Sequence, residues 1–347
     1  MVAGRIAVET QIVSRETICV NVSRGGTGDG IVSVSPGEID RSEGAGLATP
    51  TVAGISEPLP VFGLTLLYGL TIMVALAEAI IVQLGGFTVI AGPLYRDLGF
   101  ALLFILIAAF YWKTGRSPSI ATLLLVTAAL IASGPVGRVL DFVTKVMGYP
   151  LADPVLANWD RWLGLDWVGY EAWLRQYPPL SVAMGFLYSG TTLWLLAVIA
   201  VLGWIGSLRQ MVRLAIAAQL AAIICIILGG FLPAVGPHHF YGVADQGKAF
   251  FAAMIEHVVT ERPRSIVLVD IQPLTTFPSF HTSLGVLMSL AAWRIRHYGP
   301  VFAGINLFWM LGVPIWGSHY FCDMLAGVGI AVLVYLATAP LDRRRWA

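Results

Sequence analysis

Residues 212–232 read VRLAIAAQLAAIICIILGGFL, and Arg213 and Gln219 are the only strongly polar side chains in this run. A bilayer core takes about 20 apolar residues as a helix, because unpaired backbone groups cannot face lipid. Similar runs lie near residues 59–84, 94–112, 118–135, 180–205, 277–295, 300–317 and 322–340. The sequence therefore predicts an all-α fold, a polytopic membrane helix bundle of about eight transmembrane helices.

The overall composition is typical of a protein embedded in lipid. Hydrophobic residues make up 57% of the 347 residues and charged residues only 12%, about half the charged fraction of a soluble domain. The formal net charge of +1 provides no field for nucleic acid, so we expect no nucleic-acid partner. Cys19, Cys225 and Cys322 stand far apart, which indicates neither a disulfide framework nor a zinc site.

Residues 1–56 differ from the rest of the chain. They are rich in Gly, Ser, Thr and Val with scattered charges, and such a composition cannot bury a core. We expect a flexible N-terminal tail here, followed by N-terminal transmembrane helices in residues 57–136. No signal peptide is predicted, because the first long apolar run begins only near Leu59.

Basic residues mark one side of the predicted bundle. The short loops on that side contain Lys113, Arg116, Arg209, Arg213, Arg294, Arg296, Arg343, Arg344 and Arg345. The longer loops on the other side carry basic residues that are matched by acidic ones. By the positive-inside rule we expect a multi-pass protein of a bacterial plasma membrane with both termini in the cytoplasm.

Residues 276–281, TFPSFH, combine a helix start with polar chemistry. Thr276 can cap a helix and Pro278 suits its first turn, and a long apolar helix follows. Free backbone N–H groups at a helix N-terminus bind anions, so these groups and the Ser279 hydroxyl would point at a phosphate. His281 lies one turn further in and could share or donate a proton.

Residues 317–323, GSHYFCD, place His319 and Asp323 four residues apart, on one face of a helix. A carboxylate there accepts the Nδ1–H of the imidazole, which leaves Nε2 as a nucleophile and stabilises the cation that forms. Gly327 would let another helix approach closely. One span inward and one span outward separate His281 from His319, so both histidines reach the same membrane face.

The pattern Pro-Ser-x-His followed by His-Tyr-x-x-Asp-x-x-x-Gly resembles the type 2 phosphatidic acid phosphatase superfamily, particularly its inositol phosphorylceramide synthase (inositolphosphotransferase) branch. Residues 160–167, DRWLGLDW, the Tyr188-Ser189 pair and Gly236-Pro237 are similar to signatures of that branch. The resemblance covers roughly residues 150–340. It implies a six-helix phosphatase-like core within a membrane domain at residues 137–342.

The resemblance also implies a role for each residue of the two motifs. His319 would attack phosphorus to form a phosphohistidine, and Asp323 would orient His319. His281 would protonate the leaving oxygen, and Ser279 would hold the phosphate. No metal and no cofactor are implied.

Two positions depart from the family pattern, and both concern the positive charge that neutralises phosphate. His238 and His239 follow Gly236-Pro237 where the branch typically has Arg, and Gly312-Val313 replaces a serine-arginine pair. We expect His238 and His239 to bind the phosphate. An imidazole is positively charged only while protonated, so this role of His238 predicts activity that favours mildly acidic pH. The same predicted loop offers three alternatives, Lys248, Arg262 and Arg264.

Two functions fit these residues. The first is a membrane enzyme that transfers or hydrolyses the phosphate of a lipid phosphate or phospholipid at the non-cytoplasmic face, through a phosphohistidine intermediate. The second is a catalytically silent lipid-binding or lipid-transport protein that kept the fold without the cationic phosphate clamp. Membrane lipids are the expected partners in both cases, and the oligomeric state is left open.

The predicted orientation places the loop at Ser318 outside the cytoplasm and the loop at Arg296 inside it. Single cysteines near these positions, in a background without the native cysteines, should therefore respond differently to an impermeant thiol reagent added outside intact cells. We expect labelling near Ser318 and protection near Arg296. Permeabilised cells are the control, and labelling at Arg296 alone in intact cells would invert the topology.

Overall fold

A computed structural model describes residues 7–14, 17–23, 30–34, 60–90, 92–267, 273–293, 295 and 298–343. The chain divides into two compact units, Met1–Ala53 and Gly54–Ala347. The second unit contains the apolar helices and both histidine motifs.

The first unit contains an antiparallel sheet of strands β1 (Ala7–Ser14), β2 (Thr17–Ser23) and β3 (Gly30–Val34), in the order β1-β2-β3. Across the first two strands, Val8 pairs with Val22 and Ile12 with Ile18. The sequence predicts a flexible tail over residues 1–56. The strands within this range contain Val, Ile and Thr, which have high β propensity. The other residues of the predicted tail, 1–6, 15–16, 24–29 and 35–56, lie outside the described residues.

The second unit is a chain of helices with two short strands. In order the helices are α1 (Val61–Gly85), α2 (Gly92–Lys113), α3 (Pro118–Val146), α4 (Asp153–Trp162), α5 (Trp167–Arg175), α6 (Pro178–Ser189), α7 (Thr191–Trp204), α8 (Leu208–Phe231), α9 (Pro237–Phe240), α10 (Gln246–Glu261), α11 (Phe280–Ala292), α12 (Gly299–Leu311), α13 (Val313–Trp316), α14 (Phe321–Ala337) and α15 (Pro340–Arg343). The strands are β4 (Thr88–Ile90) and β5 (Ser265–Val267).

All the apolar segments predicted from the sequence contain helix, and the fold is the predicted all-α, polytopic membrane bundle. By length and apolarity, α1, α2, α3 and α8 could each cross a bilayer. Helices α6 and α7 together would form one further span, bent by 62°. The other apolar helices, α11, α12 and α14, have 13, 13 and 17 residues.

The short helices α11 and α14 are each preceded by non-helical chain. Residues 273–279 lead into α11 and residues 317–320 lead into α14. At 1.5 Å per residue, a helix of 13 residues is about 20 Å long, less than a bilayer core of about 30 Å. Irregular backbone at membrane depth is stable only where protein buries it. Ser279, Ser318 and Tyr320 meet this condition, because each is at most 2% exposed.

Helix α3 is longer than predicted. The apolar run placed the end of this span near residue 135, whereas the helix continues past Pro135 to Val146. Its charged residues have partners. Arg138 Nη2 lies 3.2 Å from Asp97 Oδ2 of α2, and Lys145 Nζ lies 3.3 Å from Asp141 Oδ1. This pairing stabilises the extra helical turns that carry charge.

Helix α8 lies at the centre of the bundle and packs against α1, α3, α7, α11 and α14. Small residues on α8 let these helices approach closely, as is usual where helices pack in lipid. Those buried in the core are Ala215, Ala217, Ala218 and Ala221. Met288 of α11 and Ala331 of α14 belong to the same core. The helices that begin at the two histidine motifs are therefore anchored on α8.

A parallel strand pair ties the loop after α1 to the loop after α10. Val89 of β4 lies opposite Ile266 of β5. Arg264, just before β5, donates from Nη1 to Gly85 O at 2.6 Å, and its guanidinium lies 5.0 Å from the centroid of the Phe87 ring. The contacts of Arg264 are thus structural.

The buried pair of Asp141 and Lys145 should contribute strongly to stability. Lys145 is 0% exposed, so Asp141→Ala would leave an uncompensated buried charge. We expect this substitution to lower the free energy of unfolding by about 3–5 kcal/mol, measured by thermal unfolding in detergent micelles. Adding Lys145→Met should recover part of the loss, because the unpaired charge is then removed.

The matched control is Glu256→Ala, which breaks a contact that is open to solvent on both sides. Glu256 Oε1 lies 3.3 Å from His239 Nε2, the two side chains are 41% and 44% exposed, and such pairs contribute about 1 kcal/mol or less. If Asp141→Ala unfolds at the same temperature as the parent protein, the buried pair does not contribute to the stability of the bundle.

Candidate active site

The N-terminal ends of α11 and α14 meet, and this contact brings the two histidine motifs together. Ser279 N donates to Asp323 O at 3.0 Å. A Cβ atom on Gly327 would lie 2.5 Å from Ser279 O, so glycine is required for this approach. The close helix contact predicted at Gly327 is therefore present. The ring centroids of His281 and His319 are 6.5 Å apart.

His319 Nδ1 lies 3.2 Å from Asp323 Oδ2, so the two residues interact as their spacing predicts. They do not share a helix face, however. His319 lies in the loop before α14, and Asp323 is the third residue of that helix. The Asp323 carboxylate reaches back beyond the helix start and also accepts a hydrogen bond from Tyr320 N at 2.9 Å. One buried oxygen thus orients both the imidazole and the backbone that carries it.

Burial controls the charge of His319, which is 3% exposed. Removal from water, together with the charge of Lys248, lowers the pKa of His319 to about 3, although a hydrogen bond to the Thr276 backbone opposes this shift. The imidazole is therefore neutral at pH 7. When Nδ1–H donates to Asp323, Nε2 keeps a free lone pair. A neutral imidazole of this kind is the form that can act as a nucleophile.

Ser279, rather than Thr276, caps helix α11. Its Oγ accepts a hydrogen bond from Thr282 N at 3.3 Å, and α11 begins at Phe280. Thr276 Oγ1 instead donates to Ala234 O at 2.7 Å. The prediction of Thr276 as the cap was wrong by three residues, because the polar segment before Ser279 is extended chain held by other partners. Ser279 still lies at the helix N-terminus where the sequence predicted an anion site.

His281 faces Tyr188 of α6. Tyr188 Oη and His281 Nδ1 are 3.4 Å apart, and their ring centroids are 4.5 Å apart. A Cβ atom on Gly317 would lie 2.9 Å from Tyr188 Oη and 2.5 Å from His319 Cδ2. Tyr188, His281 and His319 therefore converge around the glycine that precedes the second motif. The sequence had pointed to Tyr188 only as part of a branch signature.

His238 lies beside the second motif and is 3% exposed. Its Nδ1 is 3.0 Å from Ser318 Oγ, and its ring lies edge-on to Trp167, with ring centroids 4.7 Å apart. Burial, with the charge of Lys248 as the next cause, lowers the pKa of His238 to about 4. A neutral His238 can offer a hydrogen bond to phosphate but no positive charge. This burial argues against the acidic pH preference predicted from a protonated His238.

His239 points away from the two motifs although it is the next residue of α9. Its Nε2 lies 3.3 Å from Glu256 Oε1 of α10, and both side chains are more than 40% exposed. Consecutive residues of a helix point about 100° apart. The structure therefore does not bring His239 to the other predicted site residues.

Of the three alternative cations, Lys248 is the one that lies near the histidines. Its Nζ donates to Trp316 O, and its charge acts on both His238 and His319. The other two alternatives have partners elsewhere, because Arg262 donates to Gly148 O at 3.3 Å and Arg264 to Gly85 O. Burial lowers the pKa of Lys248, and nearby Asp245 opposes this shift.

Buried carboxylates hold the loops of the site in place. Asp160 of α4 accepts from Phe321 N at 2.9 Å and from Cys322 N at 2.7 Å, and thereby caps α14. Asp153 accepts in the same way from Val235 N and Gly236 N, at 3.0 and 2.9 Å. Asp141 accepts from Leu274 N and Thr275 N ahead of α11. Sequence analysis treated these aspartates only as charges that balance basic residues, and Asp160 alone carried a signal, as the first residue of DRWLGLDW.

Within the part of the chain that the structure describes, no group of three or more His, Cys, Asp or Glu side chains is arranged to hold a metal ion. The described site groups are a neutral imidazole oriented by a carboxylate, a second imidazole across a gap, a helix N-terminus and one lysine.

A family model described as PAP2 superfamily matches residues 154–337, more than half of the chain. The chain therefore belongs to the PAP2 superfamily, the type 2 phosphatidic acid phosphatase superfamily to which its motifs pointed. Members of this superfamily are generally phosphatases or phosphotransferases. Searches of curated proteins and of solved structures returned no match.

The capping role of Asp160 can be tested without an activity assay. Asp160→Ala removes the acceptor of two buried backbone N–H groups, so we expect a loss of about 1–3 kcal/mol in unfolding free energy. Hydrogen exchange at Phe321 and Cys322 should also become faster. Asp166→Ala is the control, since Asp166 caps the neighbouring helix α5 through Gly169 N. Unchanged exchange at Phe321 and Cys322 in Asp160→Ala would contradict the role.

Proposed function

We propose that this chain is a membrane enzyme that transfers or hydrolyses the phosphate of a lipid phosphate or phospholipid through a phosphohistidine on His319. The observation that carries the proposal is the contact of buried His319 with Asp323 at 3.2 Å, with His281 across a gap of 6.5 Å between ring centroids. An oriented nucleophile and a facing acid form the pair that phosphoryl transfer through histidine requires.

In the first step, His319 Nε2 attacks phosphorus while the bond between phosphorus and the leaving oxygen breaks. His281 enters this step protonated and donates its proton to that oxygen, so the leaving group departs as a neutral alcohol and His281 becomes neutral. Asp323 stabilises the positive charge that develops on His319. In the second step, water or an alcohol attacks the phosphohistidine, and His281 takes up its proton.

Groups suited to binding phosphate lie at the start of α11 and on α10. The N-terminus of α11 provides backbone N–H groups, and Ser279 is its N-cap residue. Lys248 supplies the positive charge that the family pattern would place on arginine, and His238 adds a neutral hydrogen bond through the loop at Ser318. Stabilisation of charge on the transferred group is usually the largest catalytic term. Lys248 weakens the case for a catalytically silent protein, since that case rested on the absence of a cation.

The acceptor decides between the two reaction classes. Water gives a lipid phosphatase, and a hydroxyl group of another lipid or of a polyol gives a phosphotransferase. Residues 160–167 and the Tyr188-Ser189 pair favour a hydroxyl acceptor, because they resemble the inositolphosphotransferase branch. We place the reaction at the non-cytoplasmic face of a bacterial plasma membrane, since basic residues mark the loops of the opposite side.

Purified protein, incubated with a panel of radiolabelled lipid phosphates and phospholipids with and without inositol or ceramide, tests the proposal. Labelled phosphate or a labelled product lipid is expected, and both should disappear in His319→Ala. Acid-labile label on the parent protein, also absent from His319→Ala, would report the phosphohistidine. A parent protein that binds these lipids and releases no product would favour the silent lipid-binding function instead.

Asp323→Asn should lower turnover by orders of magnitude and change substrate affinity far less. Asp323 orients His319 and does not touch the phosphate in the proposed mechanism, and orientation defects of this kind cost about 10⁴ in turnover in a comparable triad. Steady-state kinetics on the best substrate of the panel separate the two effects. Near-normal turnover in Asp323→Asn would remove Asp323 from the mechanism.

The pH dependence should identify Lys248 as the phosphate-neutralising cation. Its pKa is lowered by burial, so its charge is lost as pH rises, at lower pH than for an exposed lysine. We expect Lys248→Met to reduce kcat/KM by about 100-fold or more, and Lys248→Arg to extend activity to higher pH because arginine stays charged. Arg262→Met is the control and should stay close to the parent.

In the same assay His238→Gln should keep the parent's pH profile, because His238 is already neutral above about pH 5. An acidic optimum that His238→Gln abolishes would assign the charge to His238 instead of Lys248. If Lys248→Arg loses activity at the same high pH as the parent, Lys248 is not the cation that neutralises the phosphate.

A further inference from the structure

His281, the proposed acid, has a structural partner of its own. Among the residues that the structure describes, only the Tyr188 hydroxyl is in hydrogen-bond contact with the imidazole, with Oη 3.4 Å from Nδ1. Hydrogen bonds of a catalytic acid are often long before substrate binds and shorten in the reacting complex. Since Nδ1 faces Tyr188 of α6, Nε2 is the nitrogen of His281 that remains for a substrate.

The aromatic ring of Tyr188 also covers the imidazole of His281. The two ring centroids are 4.5 Å apart, and the ring planes are inclined by 33°. An aromatic face attracts a cation that lies within about 6 Å of its centroid. The charge of Lys248 acts in the opposite direction, because it disfavours a second cation nearby. Tyr188 therefore favours the protonated form of His281, which the first step of the proposed reaction needs.

Helix α6 fixes the position of Tyr188, which lies in its last turn, next to the 62° bend between α6 and α7. Trp316 Nε1 donates to Ser181 O of the same helix at 2.8 Å. A Cβ atom on Gly185 would lie 2.2 Å from the Trp316 ring, so α6 packs closely on this side chain. The packing ties Tyr188 to the segment that leads into the nucleophile, His319.

Tyr188 stands to the acid as Asp323 stands to the nucleophile, but its oxygen is neutral. The carboxylate of Asp323 stabilises the positive charge that must persist on His319 in the phosphohistidine. A carboxylate at His281 would hold the proton of the acid more tightly. A neutral hydroxyl orients the imidazolium and still lets its proton leave, which suits a group that must give up a proton in every turnover.

We propose that Tyr188 is the positioning residue of the acid in this site. Its hydroxyl oxygen accepts the hydrogen bond of His281 Nδ1–H, and its ring stabilises the imidazolium. The inference rests on the proposed function, in which His281 protonates the leaving oxygen. In an imidazolium both ring nitrogens carry hydrogen. The oxygen of Tyr188 can then only accept at Nδ1, and the proton on Nε2 is the one directed to the substrate.

The proton balance follows from this arrangement. In the first step the Nε2–H bond of His281 breaks, and the proton joins the leaving oxygen as that oxygen separates from phosphorus. The electron pair of the N–H bond stays on Nε2, and Nδ1 keeps its hydrogen. In the second step Nε2 accepts the proton of the water or alcohol that attacks the phosphohistidine, so His281 is protonated again. Tyr188 itself gains and loses no proton.

Three substitutions separate the contributions of the Tyr188 side chain. Tyr188→Phe keeps the ring and removes the hydroxyl, and Tyr188→Leu removes both. Tyr68→Phe is the matched control, because the Tyr68 hydroxyl donates to Leu125 O at 2.8 Å, between α1 and α3, two helices that carry neither histidine motif. Thermal unfolding of the three variants in detergent micelles shows whether any substitution disturbs the fold.

The first test reads the tautomer of His281 and needs no turnover. Full-length protein with ¹⁵N-labelled histidine is placed in lipid nanodiscs, and the signals of His281 are identified among the six histidines by their loss in His281→Gln. For the neutral ring we expect hydrogen on Nδ1 in the parent and in Tyr68→Phe, and a mixture of both tautomers in Tyr188→Phe. Hydrogen on Nε2 in the parent, or an unchanged tautomer in Tyr188→Phe, would overturn the proposal.

The second test varies the leaving group. A general acid matters for an alcohol, which is a poor leaving group as an anion, and little for a nitrophenol, which leaves readily as an anion. The best substrate of the lipid panel is compared with its analogue in which a nitrophenol replaces the leaving alcohol. We expect Tyr188→Phe to lower kcat about tenfold for the alcohol ester, with little change in KM, and less than about twofold for the nitrophenyl ester.

The other variants complete the comparison of the two esters. Tyr188→Leu should lower kcat for the alcohol ester further, and His281→Gln should show the same selectivity with a larger loss. Equal losses with both esters would mean that Tyr188 only maintains the structure, and would reject its role. A parent that releases product from neither ester would reject the proposed function, while a His281 tautomer that depends on Tyr188 would still support the orientation.

Discussion

The structure of the site depends on the close contact between the starts of α11 and α14, where Gly327 lies against Ser279 O. Both helices are short, so the chain before each one runs unwound through the interior of the bundle. Buried backbone N–H groups must find partners. The partner of Ser279 N is the backbone of Asp323, and this single hydrogen bond joins the start of α11 to the start of α14.

Aspartates accept hydrogen bonds from further backbone N–H groups, near the starts of α11 and α14 and in the loop before α9. Asp160, Asp153 and Asp141 each accept two backbone N–H groups from a loop distant in sequence. A carboxylate held in this way accepts charge-assisted hydrogen bonds, which are stronger than neutral ones. The helical framework thus brings the loops together, and the aspartates fix their conformation. Mutations far from the histidines could therefore displace them by changing a loop.

Sequence predicted the parts of the molecule that depend on local pattern. The apolar runs predicted the helices, and the spacing of His319, Asp323 and Gly327 predicted two contacts that are present. The extension of α3 could not be predicted, because it depends on Asp97 of another helix as the partner of Arg138. Lys248 lies near the histidines, whereas Arg262 and Arg264 do not. This difference also depends on partners that are more than 60 residues away in the sequence. His238 and His239 looked equivalent because their difference arises only from the direction of each side chain on α9.

The backbone at Ser318, next to His319, is strained. Its φ is +54°, a left-handed conformation that is rare for residues other than glycine. Glycine would relieve this strain, but its lack of a side chain would remove the hydroxyl that contacts His238. Gly236 packs directly against this turn, since a Cβ atom on Gly236 would lie 2.5 Å from Ser318 O. The turn at Ser318 therefore has no room to move toward residue 236 and relieve the strain. Ser318→Gly, a substitution that would favour heat resistance by relaxing this backbone, would therefore remove the contact with His238 next to His319.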